Sequence, residues 1–203
     1  MLEEKRIEEN KKEIISLLQS TQREGIECII SFLENSDFFS APASSKYHNN
    51  FDGGLADHSL KVYKTFKKLN EIFNKGKNTI KEDSIIITAL LHDLCKVNYY
   101  EIGKKNICKG KDANGYKIWE AQDVWDVKDK LGLGHGEKSI ILILENGIKL
   151  TDFEKYTIRW HMNLPESYED RMAYNAAKEQ CPNMILLHIA DLISSSLYEV
   201  TAK

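Results

Sequence analysis

The sequence has no apolar run approaching about 18 residues, the length a membrane-spanning helix requires, so no membrane span is expected. Its opening stretch, MLEEKRIEENKKEIISLL, alternates acids and bases without an apolar segment or cleavage pattern, so a signal peptide is not expected either. Cysteine is scarce: four residues, at 28, 95, 108 and 181, with no CxxC pair. That spacing argues against a zinc knuckle or a thioredoxin-type motif, and scattered free thiols fit a reducing, cytoplasmic setting. A basic excess is also lacking. Against 28 Lys plus Arg stand 31 Asp plus Glu, a formal charge of -3, so long nucleic acid is not an expected partner. There is no internal repeat and no low-complexity tract.

What is present is an ordinary globular composition. A chain of 203 residues buries about 70% of its unfolded surface, enough for a core that needs no disulfide or metal staple. Apolar spacing predicts a mostly helical chain forming one domain over residues 1–203. A first amphipathic helix runs from Leu2 to about Gln22 and a second from Ile26 to Leu33, ending near Asn35. These N-terminal helices, within residues 1–46, are expected to pack on a core spanning 47–198. Leu55, Val62, Phe66, Leu69 and Phe73 mark the buried stripe of a third helix, with Gly76 as its stop. Asp83 and Ser84 offer caps for an interior helix, SIIITALLHDLCK. Residues 99–133 are β-prone and interrupted by Asn-Gly and Lys-Gly turns, which predicts a small hairpin or two. Helix resumes at Glu137–Leu144 and stops at Gly147. Thr151 and Glu154 form a capping-box pattern opening a helix to about His161, and Pro182 suits the first turn of a last apolar helix.

Several polar residues stand where polarity is costly. His92-Asp93 follows the apolar run IIITALL, and His188 and Asp191 share one face of the last helix. His58 lies in the third helix's apolar stripe, three residues after Leu55 and four before Val62. Taken singly, each histidine also reads as a hydrogen-bonded core residue, and Asp191 as the partner of an arginine or a helix cap. A single site for a divalent ion would answer all of them together, and imidazole with carboxylate suits Zn, Mn, Fe, Co or Ni.

The strings GGLADHS, LLHDLCK and the distal ADL resemble the HD superfamily of metal-dependent phosphohydrolases over roughly residues 47–198. The string YHNNFDGGLADHSLKVY is also similar to HD domains of bacterial 3′-to-5′ exoribonucleases. The resemblance implies an all-α helical bundle carrying the hairpin insertion near residues 99–133. It implies metal ligation by His58, His92, Asp93 and Asp191. His135 and His161 match the slots of two-metal subgroups, with Asp93 as the bridging carboxylate, although many such relatives have a double histidine where this chain has Trp160-His161. One or two divalent ions are therefore expected, Mg among the candidates.

The expected reaction is hydrolysis of a phosphomonoester or phosphodiester by metal-activated water, since a bound cation lowers the pKa of water toward about 7. Asp93 and Lys96 are the expected catalytic residues. Lys96 falls one helical turn after His92 and, by resemblance, contacts phosphate. Lys138 and Arg159 are further candidates for substrate binding, and the helix start at His135–Ser139 favours an anion. His188 is expected to orient Asp191 or a neighbouring ligand. The substrate class is a nucleotide, a cyclic nucleotide, a short oligonucleotide or another phosphoester. Two other readings use the same ligand order: a di-iron oxygenase of a small organic substrate, and a nucleotide-binding regulator without turnover. The first helix, with Ile14, Ile15, Leu17 and Leu18 to bury, could support a homodimer.

Overall fold

A computed structural model describes residues 4–74, 79–129, 131–162, 165 and 167–199. In chain order these form α1 (Glu4–Ser20), α2 (Ile26–Glu34), α3 (Gly54–Phe73), α4 (Glu82–Leu91), a 3-10 turn (Leu94–Lys96), β1 (Tyr100–Lys111), β2 (Lys117–Val127), α5 (His135–Glu145), α6 (Asp152–Arg159), α7 (Tyr168–Gln180), a 3-10 turn (Pro182–Met184), α8 (Ile185–Ile193) and a π-helical turn (Ser194–Tyr198). The architecture is all-α, and the described residues add only a two-stranded antiparallel hairpin.

The fold is arranged around α4. Every residue from Ser84 to Leu91 is buried, as expected for a helix apolar around its circumference. It packs against α1, α3 and α6, while α3 also packs against α8. Ile14 and Leu18 of α1 and Ile29 and Leu33 of α2 lie fully buried in the same apolar cluster as Leu55, Phe66, Ile87 and Leu90. The apolar face of α1 is thus covered by this chain itself. A polar tie reinforces the contact, because Arg6 and Asn10 of α1 both hydrogen-bond to Asp57 of α3.

The expected caps of α4 are not formed. The helix starts at Glu82 after Lys81, and no side chain caps it. Ser84 instead donates to Glu154 Oε1 at 2.8 Å, and Asp83 pairs with Arg23 at 3.3 Å. The reason is Glu154, a fully buried carboxylate of α6 whose needs outrank those of the helix end. Arg23 donates to both of its oxygens, at 2.8 and 3.1 Å. The Thr151–Glu154 capping box does form. The first helix ends at Ser20, two residues early, and the expected Gly76 stop lies outside the described residues.

The interior helix also does not run on through Lys96. It ends at Leu91, because the His92 ring donates from Nδ1 to the Ala89 carbonyl at 2.8 Å, the acceptor nearest the continuing helix. The segment 99–133 forms one long hairpin, in register from Tyr100↔Val127 to Lys111↔Lys117, with a bulge between Cys108 and Gly110. Helix α7, in a segment left unassigned by apolar spacing, joins α6 to α8.

Burial raises the Glu154 carboxyl, but hydrogen bonds from Arg23, the Thr151 backbone and Ser84 outweigh it and hold the group below its usual 4.5. This contribution to stability is present in full above about pH 4.5 and is lost as pH falls through the depressed value. Urea unfolding should find Arg23→Ala less stable by about 2–3 kcal/mol at pH 7, with the gap closing in acid.

Candidate metal centre

Two helices, α3 and α8, and the ends of three more, α4, α5 and α6, converge on one buried point. Two glycines prepare its first wall. Gly53 takes a φ of +80°, and a Cβ on Gly54 would stand 2.0 Å from the Asn49 carbonyl oxygen. The start of α3 therefore lies directly on the loop at residues 44–50. That contact sets the His48 ring 5.0 Å from the ring of His58. On the far side, a Cβ on Gly136 would come within 2.6–2.7 Å of the Ile158 and Arg159 backbone. The start of α5, with His135, thus sits against the end of α6, which delivers His161.

The centre itself is Asp93, 2% exposed. Its Oδ2 lies 3.5 Å from His92 Nε2 and 3.7 Å from His58 Nε2, and its Oδ1 lies 3.5 Å from His161 Nε2. Asp191 Oδ1 approaches His58 Nε2 at 3.3 Å. The Lys96 ammonium closes the group at 2.6 Å from Asp93 Oδ2. All three rings are fully buried.

Outer contacts fix how each ring is presented. His92 Nδ1 meets the Ala89 carbonyl at 2.8 Å and His161 Nδ1 meets the Ile158 carbonyl at 2.7 Å. A carbonyl only accepts, so the proton sits on Nδ1 and Nε2 carries a bare lone pair. His58 Nδ1 lies 3.1 Å from both oxygens of the buried Glu199. The Nε2 atoms of His58, His92 and His161, with Asp93 Oδ1, are buried with no hydrogen-bond partner among the described residues. Leaving such atoms unsatisfied is costly. Two sets, His58–His92–Asp93 and His92–His161–Asp191, each have ligand atoms within 4.8 Å of one another. Nitrogen lone pairs and carboxylate oxygens aimed at a common point fit a divalent metal ion.

The electrostatics agree. Burial alone would raise Asp93, but Lys96, His92 and His161 hold it well below the usual carboxylate range. Burial opposes a charge on His58, yet Asp191 and Glu199 push it up to about 10. The two carboxylates thus create a strong demand for positive charge at this ring. His92, whose outer partner is only a carbonyl, is pushed down to about 4, chiefly by burial.

A third set, Asp93, Cys95 and His135, likewise has its ligand atoms within 4.8 Å of one another, with His135 Nδ1 3.4 Å from the Cys95 sulfur. Asp93 is therefore common to the His58–His92 side and the His135 side. Trp160 serves packing instead, lying under the Arg159 guanidinium at 4.1 Å and edge-on to Tyr174. His188 donates to the His161 carbonyl at 2.6 Å and so bears on the backbone of a residue of the cluster. Lys138 is buried and paired with Asp129 at 2.6 Å, over the Tyr99 ring. Arg159 is held by Glu137 at 2.7 Å and Asp170 at 3.2 Å. Each of these cations has a carboxylate partner of its own. Sequence reasoning missed Glu199 and Cys95. Cys95 was visible inside LLHDLCK, whereas Glu199 falls near the end of the last apolar helix read from MILLHIADLISSSLYEV, where nothing in the spacing marked it as a site residue.

A model of the HD domain family matches residues 55–196. The chain belongs to the HD domain family. The match contains all six expected ligands, while His48 and Glu199 lie outside it. The chain is also 36% identical, over 61 residues, to the dihydroneopterin 2′,3′-cyclic phosphate phosphodiesterase of Methanocaldococcus jannaschii. That match covers 30% of this chain and 24% of the relative's length. No solved structure matches.

Bound metal should stabilise the HD domain. At a hundredfold excess of Mn²⁺ or Co²⁺ over its dissociation constant the gain is about 2.7 kcal/mol, or roughly 5–10 °C in Tm. Differential scanning fluorimetry should show this rise in the parent and its loss in Asp93→Asn.

Proposed function

We propose that this HD domain protein is a metal-dependent hydrolase of a nucleotide-type phosphoester, with a cyclic phosphodiester as its favoured substrate. One observation carries the reading: the buried Nε2 atoms of His58, His92 and His161 and the Asp93 Oδ1 atom converge, and none has a hydrogen-bond partner among the described residues. The partial likeness to a cyclic phosphate phosphodiesterase supports the choice of ester. His58, His92, Asp93 and Asp191 would hold one ion. His135 and His161, with Asp93 shared, would hold a second. A divalent ion in such a site supplies Lewis acidity, lowering the pKa of water and drawing electron density from a phosphoryl group.

The chain's own residues set the rest. Lys96 is held beside Asp93 with its side chain 8% exposed, so its charge is little screened. The Asp93 carboxylate, far below its usual range, keeps that ammonium charged against the cost of burial. Lys96 thereby offers a fixed donor to a phosphoryl oxygen, a contact that strengthens as negative charge develops there. The apolar α4 behind the cluster keeps bulk water from competing for the same donors. The carbonyls of Ala89 and Ile158 keep the Nδ1 proton of His92 and His161 in place, so both rings present Nε2 to the centre.

Chromatography after incubation with a panel of nucleoside 2′,3′-cyclic phosphates and Mn²⁺, Co²⁺, Ni²⁺ or Mg²⁺ should reveal a nucleoside monophosphate product. Asp93→Ala should lower the rate by about 1000-fold or more, and Lys96→Gln by about 100-fold. Asp93→Ala turning over at the parent's rate would remove the assignment.

A further inference from the structure

The family match stops at residue 196, and three residues later the chain places Glu199 against a ligand histidine. The route there is unusual. Ser195 donates its hydroxyl to the Asp191 carbonyl at 2.9 Å and also reaches the Leu192 carbonyl. These side-chain bonds compete with the regular helical pattern, and the chain widens into the π-helical turn Ser194–Tyr198. Widening shifts the phase of everything after it, so Glu199 faces the ring from the side opposite Asp191: Glu199 Oε1 stands 3.1 Å from Nδ1 and Asp191 Oδ1 3.3 Å from Nε2. Ser194 is fully buried, 3.5 Å from Thr65 of α3, which fixes the turn to the helix that carries His58.

Glu199 is itself held. Its side chain is fully buried, and the Lys61 ammonium stands 3.8 Å from it and 2.7 Å from Asp57. Asp57 also accepts from Arg6 and Asn10 of α1 and from Asn49 of the loop beside His48. A chain of charges thus runs from the N-terminal helix through Asp57, Lys61 and Glu199 to His58. Among the three buried ligand rings, His58 alone has a carboxylate as its outer partner; His92 and His161 have carbonyls. A charged acceptor at Nδ1 locks the ring orientation more firmly and makes Nε2 a stronger donor.

We infer that Glu199, delivered by the π-helical turn and braced through Lys61 and Asp57, is the positioning residue of His58 and sets how tightly the His58–Asp191 side of the centre holds its ion. This rests on the metal-site reading above. It assigns a role to segments on both flanks of the HD match.

The test is Co²⁺ binding to the full chain, read by competition with a chromophoric chelator and by the visible absorption of the bound ion. Glu199→Gln keeps an acceptor oxygen but removes the charge, and Glu199→Ala removes both. Affinity should fall about 10-fold in the first and about 100-fold in the second, with a changed absorption band. Urea unfolding of the metal-free proteins provides the comparison for a purely structural role, which would lower stability and leave affinity and band unmoved. If Glu199→Ala does not fold, Glu199→Gln alone decides the matter. Variants that bind Co²⁺ with the parent's affinity and spectrum overturn this inference alone. A parent that binds no Co²⁺ overturns both it and the proposed function.

Discussion

A carboxylate removed from water must find positive charge or donors close by, and Asp93 imposes that demand on the whole molecule. It is 2% exposed and meets Lys96 at 2.6 Å, with three imidazole nitrogens 3.5, 3.7 and 3.5 Å away. Satisfying it requires α4 to stop at Leu91, the next turn to bring Lys96 back, and α3 and the end of α6 to send in His58 and His161. The apolar helix behind it excludes the solvent that would otherwise make the arrangement unnecessary. The position of this one oxygen pair accounts for much of what the helices do.

The same economy appears in how the rings are oriented. His92 and His161 each follow a helix end and each turn Nδ1 onto the carbonyl three residues back. One hydrogen bond terminates a helix, selects a tautomer and aims a lone pair. Hydrogen bonding at helix ends is usually a stability question; here it also sets where two buried imidazoles point. The close contact at Gly136 serves a similar purpose, because the backbone of α5 can lie on that of α6 only where there is no side chain.

Much of this was legible in the sequence where a residue violated its local context. His92, Asp93 and Asp191 stood out because charge follows or interrupts apolar runs, and the structure brings them together with His58. Thr151 and Glu154 were legible as a capping box because both partners lie within one turn. Ser84 misled, since its partner Glu154 is 70 residues away and the bond appears only after folding. Glu199 was invisible because a π-helical turn breaks the periodicity by which a helical face is read. Helix α7 carries few apolar residues, with Tyr174 and Ala177 buried, too sparse a stripe to mark it beforehand. The hairpin was readable by residue type, but its single long register depends on pairings that no local pattern specifies.

That hairpin has a consequence for the molecule in a crowded solution. A ribbon of two strands has no interior strand, so each strand leaves an open row of backbone donors and acceptors on its outer side. Ile102, Ile118 and Trp119 are also exposed, a composition that invites a neighbouring chain to add a third strand. Five lysines, at 104, 105, 109, 111 and 117, lie along the same ribbon, and the irregularity at Cys108/Gly110 twists it out of flatness. Charged side chains along an edge and a bulge both hinder the addition of a further strand, so the insertion carries its own protection against self-association into fibres.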